Sequence, residues 1–250
     1  LIRVGLIRIK QDKHILLMDI HHIVYDGQSM GILIKELISF YEGQTLPPLK
    51  IQYKDFAVWQ NKQLASETIK KQEAYWLDIF KGELPVLELP LDFQRPPFQS
   101  FEGDRIKFES DKQLTFLLNK LISGTGSTMY MVLMAAYNIM LYKYTGQKDI
   151  ITGSPIVGRP ISDLDNTIGV FINMLPVRNQ IPETGTFKEF LEDVKNQALN
   201  SYKNQDYPFE KLVEKLELPR DLSRNPLFDT MFGLLNIGSK TVEVDSLKFS

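Results

Sequence analysis

Two apolar runs open the chain, LIRVGLIRI (1–9) and HILLMDIHH (14–22). The polar link Lys10-Gln11-Asp12-Lys13 between them predicts a β-hairpin. Alternation along the second run puts Leu16, Met18, Ile20 and His22 on one face and Ile15, Leu17, Asp19 and His21 on the other. On that reading the adjacent histidines cannot share a site, and His22 takes the apolar face. Ser29 reads as the N-cap of a helix with Met30, Leu33, Ile34, Leu37, Ile38 and Tyr41 at helical spacing, stopped by Gly43. A Pro47-Pro48 loop leads into IQYKDFAVWQ (51–60), and a charged helix is expected from about Asn61 to Lys81.

Residues 82–103, with Pro85, Pro90, Pro96 and Pro97, show no period and form the candidate crossover between two lobes. A strand at Asp104–Phe108 and a helix near Asp111–Ile122 follow. Gly124-Thr-Gly-Ser-Thr128 then caps a long apolar helix over Met129–Tyr144. Asp149–Gly158 reads as a buried strand ending in a loop, and Val170–Arg178 as another. Thr186–Tyr202 is an amphipathic helix. The proline-rich stretch 206–226 leads to strands at Leu227–Leu235 and Thr241–Phe249. Irregular alternation of strands and helices predicts α/β layers with a mixed sheet. The pattern starts inside a strand and stops in mid-pattern, which reads as a fragment of something longer.

Composition narrows the possibilities. At 250 residues, 43% hydrophobic and 24% charged, this is an ordinary globular chain with ample core. A net charge of −2 with mixed signs gives no basic face for nucleic acid or an anionic membrane. The absence of cysteine excludes disulfides, thiolate chemistry and Cys-type zinc sites. No apolar run reaches membrane-spanning length.

The densest chemistry lies in His21-His22-Ile23-Val24-Tyr25-Asp26-Gly27. A histidine that removes a proton needs a free ring nitrogen, a fixed tautomer and a place beside the reacting atom. A strand end before a tight turn offers that place. Asp26 would orient the ring or pair with a distant arginine. The same residues also suit a histidine that merely closes a strand, with Asp26 as a turn residue before Gly27. Ligand spacing for a metal is absent, as are a Gly-x-Ser-x-Gly elbow around Ser154 and a Gly-Lys-Ser/Thr phosphate loop. The cluster Tyr53, Phe56 and Trp59 reads as core.

HHIVYDG resembles the active-site motif of the condensation domains of non-ribosomal peptide synthetases: two histidines, three variable residues, Asp and Gly. YKDFAVWQ (53–60), the stretch 125–160, IGVFINMLPVR (168–178), NQDYPFEKLVEKL (204–216) and RDLSRNPLFD (220–229) are similar to further motifs of that family, in its order. The resemblance spans nearly the whole chain. It implies a two-lobed chloramphenicol-acetyltransferase-like α/β fold with mixed sheets and an incomplete N-terminal lobe. Residues 1–95 would carry the end of that lobe and the crossover, and 96–250 the C-terminal lobe.

The activity implied is amide formation between a carrier-bound peptidyl or aminoacyl thioester and a carrier-bound aminoacyl amine, in antibiotic biosynthesis. His22 would be catalytic, with Asp26 and Gly27 in the same motif. His21, Arg159, Ser154 and Asn173 would support it, with Arg159 as partner of Asp26. The resemblance implies no metal and no bound cofactor in this domain. The 4'-phosphopantetheine arms would belong to upstream and downstream peptidyl carrier domains, with an adenylation domain adjacent, in the cytoplasm. Sister activities, epimerisation or ester formation, share the motif. A non-catalytic member that recruits a partner protein is the other alternative, but such members typically lose the His motif, so the intact His22 and Gly27 argue against it. The intact SRNPLF (223–228) argues against epimerisation, and His21 at the first motif position argues against heterocyclisation.

Overall fold

The computed structural model describes residues 1–235, together with the backbone of 243–244 and 247–248. The chain forms two compact units that do not follow it linearly. One is built from 1–66 and 157–172, the other from 67–156 and 173–235.

In the first unit, β1 (Ile2–Arg8) and β2 (His14–Ile20) pair antiparallel, with Ile2 opposite Ile20 and Arg8 opposite His14. The hairpin is as the apolar runs predict, but β2 stops at Ile20. His21 and His22 therefore do not continue its alternation. His21 caps a 3-10 turn over His22–Val24, because its Nδ1 accepts a hydrogen bond from the Ile23 N–H at 3.1 Å. Both histidines are exposed, so the apolar-face assignment of His22 fails for want of a strand there.

Helix α1 (Gly27–Tyr41) starts three residues earlier than expected. Its N-cap is Asp26, not Ser29, since an aspartate caps as well as a serine and here stands three residues ahead of the N–H it accepts. Helix α2 (Tyr53–Gln63) ends at Leu64, so the single charged helix expected over 61–81 is two helices. The second, α3 (Glu67–Ile79), belongs to the other unit. Ser66 followed by Glu67 is a helix-start signal inside an otherwise polar run, and charge alone masks it. The small core of the first unit is Phe56, Leu164 and Phe171, with Ile51 against them.

In the second unit, residues 82–110 hold no regular element. The strand expected at 104–108 does not form. Ile106 and Phe108 stand 89% and 90% exposed, and no strand among the described residues pairs with them. Helices α4 (Lys112–Thr125) and α5 (Met129–Thr145) follow the apolar periodicity, with N-caps Asp111 and Thr128. The left-handed Gly126 (φ 61°) ends α4.

Strands β3 (Asp149–Ile156) and β4 (Asn173–Gln180) pair antiparallel, with Ser154 opposite Leu175. Strand β4 begins three residues later than expected, because Val170–Ile172 serve the first unit instead. Helix α6 (Phe187–Lys203) carries a reciprocal Thr186–Glu189 capping box. A further helix, α7 (Phe209–Leu216), lies in the stretch read as proline-rich linker: Pro208 takes the cap position and only then do helix formers follow.

The strand expected at 227–235 is reduced to one parallel bridge, Gly153 with Met231. The close approach needs glycine, since a methyl at Gly153 would lie 2.5 Å from the Phe228 ring. Most of the strand expected at 241–249 lies outside the described residues. Met131, Met134, Ala135, Phe190, Leu191 and Val194 form the main core where α5 meets α6. The result, among the described residues, is an α/β fold of small sheets, antiparallel apart from that one bridge.

Candidate active site

The HHIVYDG segment fills the gap between β2 and α1, and each residue has a different environment. Asp26 is buried. Its Oδ1 accepts from the Ser29 N–H (2.8 Å), and its Oδ2 from the Phe171 N–H (3.1 Å). The guanidinium of Arg159 meets the same carboxylate through Nη2, at 3.2 Å to Oδ1 and 3.4 Å to Oδ2. Burial alone would push this carboxyl up. The Ser29 N–H and hydroxyl, the Phe171 N–H and the Arg159 charge outweigh it and hold the group below the ordinary carboxylate value.

Arg159 is equally committed. Its Nη1 donates to the carbonyls of Leu164 and Thr167, and its Cζ lies 4.0 Å from the centre of the Phe171 ring. It thereby closes the loop 159–171 on itself and onto Asp26. A planar donor fork on an aromatic face is a task for arginine rather than lysine.

Ser29 sits at the middle of this network. Its Oγ accepts from the Gly169 N–H (3.1 Å) and from Arg159 Nη2 (3.2 Å), with Asp26 Oδ1 (2.8 Å) and the Gly169 carbonyl (2.9 Å) both within reach of its single proton. Tyr53 completes the enclosure, donating its hydroxyl to the Val170 carbonyl at 3.0 Å, while Thr167 Oγ1 donates to the Ile51 carbonyl. A methyl at Gly169 would lie 2.1 Å from Cδ2 of Tyr53, so this approach also requires glycine. Ser29, Tyr53, Gly169 and Phe171 are the members that sequence reasoning missed. Ser29 carried a signal, but as a cap.

Gly27 opens α1, and nothing lies within 4 Å of where its Cβ would stand. The cap uses the N–H groups of Ser29 and Met30, while that of Gly27 points from a helix start, where donors are intrinsically unpaired. Among the described residues the His22 ring takes part in no hydrogen bond or ion pair. It stacks on Tyr25, with ring centres 5.1 Å apart and planes 26° from parallel. The arrangement is an exposed imidazole on a turn, with Asp26, two residues past the end of that turn, locked by four donors.

Two further candidates lie in the other unit, each with local work of its own. Asn173 Nδ2 donates to the carbonyls of Gln205 and Tyr207, and its Oδ1 accepts from the N–H of Phe209. It thus ties the start of β4 to the start of α7. Ser154 is buried and accepts from the Tyr130 hydroxyl at 2.8 Å.

The model of the family described as "Condensation domain" matches residues 1–250. The chain belongs to the condensation-domain family. As a condensation domain it is 53% identical over 247 residues to gramicidin S synthase 2 of Brevibacillus brevis, and 52% over 248 to tyrocidine synthase 3 of Brevibacillus parabrevis. Each alignment covers 99% of this chain, but only 6% and 4% of those synthases. The chain thus spans only a small part of the length of these relatives.

Among solved structures it resembles the X-domain from teicoplanin biosynthesis, with TM-score 0.85 and 26% identity over 92% of this chain and 54% of that one. It also resembles a holo four-domain nonribosomal peptide synthetase bound to AMP and glycine. There the TM-score is 0.84, at 23% identity over 95% of this chain and 18% of that one, a likeness of fold. The condensation-domain fold is therefore shared. No helix among the described residues is long and apolar enough to cross a membrane.

Proposed function

We propose that this chain is the part of a condensation domain that carries the reacting histidine. In that role it joins the amine of a carrier-bound aminoacyl group to the thioester carbonyl of a carrier-bound peptidyl or aminoacyl group. The observation behind the reading is the exposed His22 imidazole, on a turn anchored by the buried Asp26–Arg159 pair.

The amine nitrogen attacks the thioester carbonyl, and a free α-amine, with a pKa of about 7.7–8.0, is already partly nucleophilic near neutrality. His22 holds that amine in line and accepts its proton from the zwitterionic tetrahedral intermediate. The C–S bond then breaks, and the proton passes on to the departing pantetheine thiolate. General-base help of this kind contributes roughly 10²–10⁴-fold, with orientation adding to it. The Gly27 N–H, at a helix start, suits the developing oxyanion. Asp26 and Arg159 act through position only, being buried and paired with each other. The pantetheine arms belong to the carrier domains on either side, with an adenylation domain next in the same cytoplasmic synthetase.

A second reading rests on the X-domain likeness, one example of which was solved in complex with OxyB. On it the chain recruits a partner protein and His22 has no chemical task. The deciding experiment is dipeptide formation by a synthetase module containing this chain, with both carriers loaded. His22→Ala should reduce product to background. Normal condensation by that variant would overturn the catalytic role and favour recruitment.

A further inference from the structure

We infer that Tyr25, one of the three interior residues of HHIVYDG, is a positioning residue for His22. The imidazole hangs from two rotatable bonds, and among the described residues nothing donates to it, accepts from it or pairs with its charge. Its ordered contact is the Tyr25 ring, in an offset stack with centres 5.1 Å apart and planes at 26°.

The backbone makes this contact possible. Residues 22–24 form a 3-10 turn, closed by the Val24 N–H on the His21 carbonyl at 3.1 Å. His22 opens that turn and Tyr25 is the residue immediately past it, three positions on. Tyr25 leaves the turn with an extended backbone (φ −153°, ψ 158°), and the next residue is Asp26. Four donors hold Asp26: the N–H groups of Ser29 and Phe171, the Ser29 hydroxyl and Arg159. The half-buried tyrosine therefore carries the rigidity of the ion-pair network outward to a ring that would otherwise turn freely. An aromatic pair of this geometry biases the imidazole toward one orientation by about two- to tenfold.

The catalytic consequence rests on the reading of His22 above; the stack itself does not. The test uses this chain with labelled histidine, and the loaded module that contains it, each as wild type, Tyr25→Phe and Tyr25→Leu. Leucine keeps apolar bulk and removes the ring. The His22 ring protons, assigned by their disappearance in His22→Ala, should show an upfield ring-current shift in wild type and Tyr25→Phe that Tyr25→Leu abolishes. In the module, at equal folded fraction, Tyr25→Leu should lower kcat by about two- to tenfold with KM for the carriers unchanged, and Tyr25→Phe should restore it. Identical shifts in wild type and Tyr25→Leu, or equal kcat in Tyr25→Leu and wild type, would overturn the proposal. If His22→Ala condenses normally while the shift difference persists, the stack stands and the positioning role falls together with the proposed function.

Discussion

The carboxylate of Asp26 and the guanidinium of Arg159 meet at 3.2 Å across 133 residues of sequence, both almost wholly removed from solvent. Such a pair is weak evidence for net stability, because desolvation offsets much of the attraction. Breaking one side is another matter. Arg159→Met should destabilise the first unit by about 3–5 kcal/mol, leaving a buried carboxylate without its counter-charge. Adding Asp26→Leu should recover part of that loss. Urea midpoints of the two variants against wild type measure both, and equal midpoints for Arg159→Met and wild type would refute the claim.

The same carboxylate sets an acid limit. Its folded pKa lies below its ordinary value of 3.8, so the unfolded chain binds the proton first as pH falls. The stabilisation is thus complete above about pH 4 to 5 and is lost as pH drops through the lower, folded value. Wild type should exceed Asp26→Asn in urea midpoint at neutral pH, and the gap should shrink only below about pH 4. A gap that closes between pH 7 and 5 would place the titration on another group.

Gly169→Ala is expected to be among the harshest single-methyl changes in the chain. The added carbon would sit 2.1 Å from the Tyr53 ring, which cannot retreat without releasing the Val170 carbonyl. Overpacking of this kind costs about 1–3 kcal/mol. Tyr53→Ala in the same chain should relieve the clash, making the two changes strongly non-additive. Additive losses would mean that the loop shifts as a whole.

Asn173 and Ser154 call for measurements of local structure. Asn173→Ala strips a donor from the Gln205 and Tyr207 carbonyls and an acceptor from the Phe209 N–H. Amide hydrogen exchange at Phe209–Leu212 should accelerate more than tenfold, an opening cheaper by about 1.4 kcal/mol. Ser154→Ala leaves the Tyr130 hydroxyl without its partner, at a cost of about 1–3 kcal/mol. Burial pushes that phenol up to about 12, so its absorbance change should lag behind exposed tyrosines in an alkaline titration.

The strongest local patterns were legible in the sequence. The hairpin, α4, α5 and α6 follow from periods and caps, and the His-Asp-Gly segment stands out because histidine is rare in this chain. What escaped was set by partners distant in sequence. Nothing local says that Gly169 must admit the Tyr53 ring, or that Ser29 will bind a backbone 140 residues away rather than cap its own helix. The strand expected at 104–108 failed for the converse reason. Its alternation is sound, but a strand exists only where another offers a ladder. His22 was misplaced by two residues of strand, enough to trade an alternation argument for a turn.

The discontinuity of the first unit has a consequence for how the chain is made. Asp26 leaves the ribosome long before Arg159, and at about 5–20 residues per second the wait is on the order of 10 s. Through that interval the carboxylate, the first turn of α1 and the aromatic face of Phe56 have no loop to close on. Closing so long an excursion adds little entropy, since each doubling of loop length costs only about 0.6 kcal/mol. The intervening stretch, 67–156, can therefore lengthen or vary at small thermodynamic cost to that closure. The burden is kinetic: a nascent chain holding a half-built histidine turn needs either a slow commitment to folding or protection until residue 172 emerges.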